Sequence, residues 1–184
     1  MLIRCPGCGA RFAFFDGPAH LYIGASPACW ALYGALLVNA APDLTLVRGA
    51  LAPDVLPELW AMAEFPGAEA LLVDAYAVQH HGDGSSQAVQ SVAAHLLALH
   101  AVLRQGVSAE HVQWVRRRAL RRRGVFRVLE PPPEGSAFTI LHLVDRGGRG
   151  PVSIPRYVAS VFAAWERLHA TAIEQWYADY VLAE

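Results

Sequence analysis

Apolar residues recur three and four apart over most of this chain. From Trp30 through Tyr33, Leu36 and Leu37 they trace one helical face, and Ser26-Pro27 ahead of them offers a capping side chain and a proline suited to the first helical position. The pattern predicts a helix to about Ala40. Residues 41–53 read as a loop, 53–64 as a short helix, and Pro66-Gly67 as a break. A second helix reads from Ala68 to about His80. After the turn His81-Gly82-Asp83-Gly84, Ser85 or Ser86 opens a third helix to about Gln105, with an apolar stripe of Val92, Leu96, Leu99 and Leu103. Ser108 opens a fourth, with Glu110 in its first turn and Gly124 as its stop. Residues 125–150, with three consecutive prolines and Gly147-Gly148, read as largely irregular. A last helix runs from about Pro155 to Tyr180. The first fifteen residues, with two cysteines, two glycines and a proline, read instead as a turn-rich knuckle with short extended flanks. The expectation is a single mainly α domain over 1–184: a four- or five-helix bundle at 26–184, with an N-terminal zinc knuckle within residues 1–30 packed on it.

Composition narrows the class. Hydrophobic residues make up 54% of the 184 and charged ones 17%, with a mean hydropathy of +0.27, which excludes a disordered or solvating chain. The most apolar stretch, Ala28 to Ala41, falls short of the roughly 20 residues of a bilayer span. The start lacks a charged segment followed by an apolar one. These features predict a cytoplasmic protein with no membrane partner.

The net charge of −1 hides an uneven distribution. Seven arginines and no acid lie between 116 and 127, and there is no lysine anywhere. Six of the seven fall in the run Arg116 to Arg123. Such a run can bind nucleic acid. Val115 and Leu120 interrupt it as on an amphipathic helix, however, and arginine suits a helix C-terminus. Only Trp114 and Phe126 stand near it as stacking aromatics. The reading is a solvated helix face, with nucleic acid not expected as a partner.

Chemistry concentrates in cysteine and histidine. Three cysteines, an odd number, argue against a disulfide framework. Cys5-Pro-Gly-Cys8-Gly has the form of a zinc knuckle: two thiolates three residues apart on a tight turn can face one ion. Cys29 is the remaining thiol and His20 lies between, so the set reads Cys5, Cys8, His20, Cys29, although a histidine from elsewhere could close the site. A redox CxxC is the rival, but it favours the start of a helix after a strand.

His80, His95 and His169 fall on or beside apolar helical faces. His169 belongs to the stripe Phe162, Trp165, His169, Ala172 and Trp176. Asp74 sits within the apolar segment Ala70 to Val78, where burial is costly without a partner. It could orient a histidine, ligate a metal or act as a base. A short turn between the second and third helices makes them antiparallel. His80 and His95 are then about 13 Å apart along the axis by the helical rise, whereas Asp74 lies about 9 Å back from His80, which makes it the better partner for His95. His80 is left to approach the knuckle as an additional ligand, or to act as an acid or base. The plain alternative is that these are core residues bonded to backbone or to each other.

Taken together, Cys5-Pro-Gly-Cys-Gly-Ala10, Asp16-Gly-Pro-Ala-His20, Ser26-Pro-Ala-Cys-Trp-Ala-Leu-Tyr-Gly34, Val73-Asp-Ala-Tyr-Ala-Val-Gln-His80, Gln90-Ser-Val-Ala-Ala-His-Leu96 and Leu129-Glu-Pro-Pro132 resemble a bacterial family of domains of unknown function. The resemblance covers most of the chain. It implies that Cys5, Cys8, His20, Cys29, Asp74, Gln79, His80 and His95 form one motif set, and it implies no reaction. His81 departs from the family pattern, which usually has proline there.

Two functions are compatible with these residues. One is a zinc-dependent enzyme, a hydrolase or lyase, acting on a small molecule in a pocket lined by Asp74, His80 and His95, with His169 facing it. The other is a non-enzymatic helical module stapled by a closed zinc site and meeting a protein or nucleic-acid partner. Asp74, Gln79 and His80, three polar residues at the end of an apolar helix without evident structural need, favour the first. A closed four-ligand shell would favour the second.

Overall fold

The computed structural model describes residues 1–40, 68–121, 126–144 and 152–183. The readings at 41–67, at Gly124 and at Gly147-Gly148 lie outside these residues. Two short strands, β1 (Leu2–Arg4) and β2 (Arg11–Ala13), pair antiparallel with Ile3 opposite Phe12. Five α-helices follow among the described residues: α1 (Pro27–Ala40), α2 (Ala68–Gln79), α3 (Ser86–Leu103), α4 (Val112–Leu120) and α5 (Ile154–Tyr177). The mainly helical fold with a cysteine-bearing N-terminal knuckle is therefore the one expected.

Local chemistry sets the helix starts. Ser26 Oγ accepts the Cys29 N–H at 3.4 Å and Pro27 takes the first helical position. Ser85 caps α3 by accepting the Ala88 N–H. Ser108 leads first into a 3-10 turn, Ala109–His111, and α4 follows it. A second 3-10 turn, Ile140–Leu143, breaks the stretch read as irregular.

α3 is the central helix, packing against α2, α4 and α5. It is buried on nearly every side, so the four-residue stripe understates its contact surface. At 18 residues and a mean hydropathy of 1.2 it is long and apolar enough to cross a membrane, and its burial among three helices accounts for that apolarity. α2 is buried almost continuously from Ala70 to Gln79 and packs against α3 and α5. α5 departs from the expected stripe. At His169 the backbone leaves the helical region, with φ −130° and ψ 16°; beyond it Trp176 is buried as expected, but Ile173 and Tyr177 are buried beside it where Ala172 was expected. A five-residue π-helical turn, Ala178–Leu182, ends the described chain.

Candidate metal centre

The knuckle turn and the C-terminal end of α2 meet around sulfur. One ligand atom from each of Cys5, Cys8, Cys29 and His80 lies within 4.8 Å of the others. Cys8 Sγ is 3.9 Å from Cys29 Sγ, and Cys29 Sγ is 3.2 Å from His80 Nε2. A tetrahedral ion with metal–sulfur bonds of about 2.3 Å and metal–nitrogen bonds of about 2.0 Å sets ligand edges of about 3.8 and 3.5 Å. The cluster is close to that size, and these four residues could hold a metal ion.

Each ligand has a fixed support. Cys5 N–H donates to the Ala10 carbonyl and Gly9 N–H to the Cys5 carbonyl, which closes the turn between β1 and β2. Gly9 has φ +72°, a conformation that glycine takes without strain. Ser26 N–H donates to Cys5 Sγ and the Tyr76 hydroxyl to Cys29 Sγ. His80 Nδ1 faces the Tyr76 carbonyl at 2.9 Å and must donate there, which leaves the Nε2 lone pair toward the sulfurs. The knuckle also presses on His80. A Cβ at Gly7 would come within 2.6 Å of His80 Cδ2, and Gly24 N–H donates to the His80 carbonyl. The CxxC opens a hairpin turn and no helix, unlike the redox motif.

The thiols are electrostatically at odds. Contacts from Cys29 and Cys8 hold Cys5 far below the ordinary thiol value. The contacts with Cys5 and Cys8, together with burial, push Cys29 far above it. Cys8 is pulled down by Cys29 but is pushed up to about 12 by Cys5 and by burial. Three sulfurs this close oppose one another's ionisation, and a divalent cation would remove the conflict, because metal-bound thiols deprotonate.

His80, and not His20, completes the set. His20 stands apart: its Nδ1 accepts the Tyr22 N–H at 3.3 Å and its ring packs 5.1 Å from Trp30. Chain proximity made it the natural candidate, but its ring packs on Trp30 while the end of α2 brings His80 to the cysteines.

Asp74 and His95 do meet. His95 Nδ1 lies 2.6 Å from Asp74 Oδ1, with both residues buried. The same carboxylate accepts two bonds from Arg116, Nε to Oδ1 and Nη2 to Oδ2, each 2.7 Å, and Nη2 also reaches the Ala70 carbonyl. Arg116 is 1% exposed, which corrects its reading as part of a solvated face. Arg117 and Arg121 are exposed as expected, and Arg122 and Arg123 lie outside the described residues. The stripe Val112, Val115, Arg116, Ala119 carries the signal that was missed: Arg116 occupies a core position of α4, and buried Asp74 needs a cation.

The expected common pocket divides. His95 lines a cavity of about 40 Å³ with His20, Trp30 and Ser91, whereas His80 faces the sulfurs behind Tyr76. His169 joins neither group; at the α5 kink its Nε2 donates to the Glu130 carbonyl at 2.8 Å. Gln79 has a structural task. Its amide donates to Ser136 Oγ and the Phe138 carbonyl and accepts from the Tyr157 hydroxyl, tying α2 to α5 and to the segment before it.

Residues 55–166 match DUF5946, a family of unknown function. The chain belongs to that family. His80, Asp74, His95 and Arg116 lie inside the matched segment, and the three cysteines precede it. No curated protein and no solved structure matches the chain.

Proposed function

We propose that this family member is a zinc protein whose ion is structural, joining the N-terminal knuckle to the end of α2. The observation that carries the reading is the donor set: three thiols and one imidazole whose donor atoms all lie within 4.8 Å of one another. Thiolate and imidazole donors in fourfold coordination suit zinc, and four protein ligands leave no position for a reactive water. The bonds of Gln79 to α5 and of Asp74 to Arg116 support a structural reading of the polar residues nearest the metal. Elemental analysis of protein purified without chelators tests this. About one zinc per chain is expected, and Cys8→Ser should lose it; protein free of transition metal would overturn the reading.

A second reading rests on His95. Asp74 holds its Nδ1, and its ring lines the small cavity beside His20, an arrangement that presents Nε2 as a proton acceptor. Acid–base chemistry on a small molecule would then take place away from the metal. His95→Gln removes the acceptor ring. An activity of the wild type that survives this change excludes the reading.

A further inference from the structure

A wider cavity, of about 270 Å³, opens beside the turn that follows His80. Its walls are apolar. Trp165 and Trp176 contribute from α5, Val89 and Val92 from α3, and Leu129 from the segment after α4. Both tryptophans are more than nine-tenths buried, so these surfaces are set by the core and need no ordering when a ligand arrives. The ring of His81 meets Trp165 edge-on at 5.9 Å and adds a polar edge to the same wall.

Two charged side chains reach the lining, and they differ in what they already hold. Asp83 Oδ1 accepts the Ser85 N–H at 3.0 Å, which fixes the turn before α3. Arg127 is exposed and has no anionic partner among the described residues. A planar guanidinium beside an apolar slot matches a carboxylate, to which it can donate two parallel bonds. A phosphate fits less well. The N-terminal N–H groups of α3 are partly taken up by the Ser85 cap, and Asp83 at the same mouth repels a dianion. The volume lies just below the range of about 300–1,000 Å³ for drug-sized ligands, which corresponds to one ring with a short acidic arm.

We infer that this cavity binds a small aromatic monocarboxylic acid, its ring against Trp165 and the valines of α3 and its carboxylate on Arg127. The inference is independent of which metal the cysteines hold. The test uses phenylacetate and its neutral analogue phenylacetamide, titrated by calorimetry against the full chain. The wild type should bind phenylacetate roughly tenfold more tightly than the amide, the size of one good charge-assisted contact. Arg127→Gln, a change at an exposed position, should abolish that preference and leave amide binding unchanged. Val89→Trp, which fills the cavity from its half-buried wall, should remove both. Failure of the wild type to bind either probe at millimolar concentration overturns the proposal, as does a preference for the acid that persists in Arg127→Gln. Unaltered phenylacetate binding by folded Val89→Trp would overturn its location.

Discussion

Arg116 grips both oxygens of Asp74, from the first position of a run of six arginines whose next member, Arg117, points to solvent. The pair is fully buried and joins α4 to α2. Breaking such a pair from one side strands a charge in the core and costs about 3–5 kcal/mol. Arg116→Ala should therefore lower stability by about that amount, while Arg117→Gln should change it by less than about 0.5 kcal/mol. Urea unfolding of the two variants checks this; equal effects would contradict the assigned burial.

The choice between His80 and His20 is settled by two substitutions. His80→Ala should lose the metal or weaken its binding by orders of magnitude, because it removes one of four donors. His20→Ala should keep about one equivalent per chain by the same ligand count. Competition with a chromophoric chelator gives both affinities.

Gly7 provides a test through shape alone. A methyl group there would meet the His80 ring and the Gly24 carbonyl well inside contact distance. Gly7→Ala should destabilise the domain by about 1–3 kcal/mol, typical of forced overpacking, and loosen metal binding although no ligand is altered. Thermal melts with and without chelator will show whether both effects appear.

The pH dependence has a local component at Arg104 and Glu166, which link the end of α3 to α5. The hydrogen bond from Arg104 holds the Glu166 carboxyl below its ordinary value. A folded-state value below the unfolded one means that the stabilisation is complete above the ordinary carboxyl range and disappears as pH falls through the lowered value. The pair is partly exposed, so its share is at most about 1 kcal/mol. Arg104→Gln should narrow the stability difference between pH 7 and pH 3 by no more than that, measured by denaturant midpoints at each pH.

Much of the architecture could be read from short-range signals. Ser26-Pro27 and Ser85 mark helix starts because capping is decided within four residues. Cys5, Cys8 and Cys29 stand out as a candidate metal site because thiols are few and the CxxC turn is local. The pairing of Asp74 with His95 followed from helical rise and an antiparallel turn. The fourth member of the cluster did not, because His80 comes 51 residues after Cys29 and the packing of α1 on α2, with Tyr33 stacked on Tyr76, brings the two together. Arg116 was hidden by its neighbours: a core position looks like surface when five similar residues accompany it. The α5 stripe failed at His169 because periodicity assumes an unbroken helix.

The long interval between the third and fourth ligands also bears on how the protein is made. During synthesis, the three thiols emerge well before residue 80. Until then the nascent chain carries a three-sulfur claw that lacks its nitrogen donor and the aromatic cover of Tyr76, open to oxidants and to softer metals such as cuprous ion. Under the zinc reading, arrival of α2 both completes the four-donor set and closes the claw, so the full set exists only once residue 80 has followed the three thiols out of the ribosome.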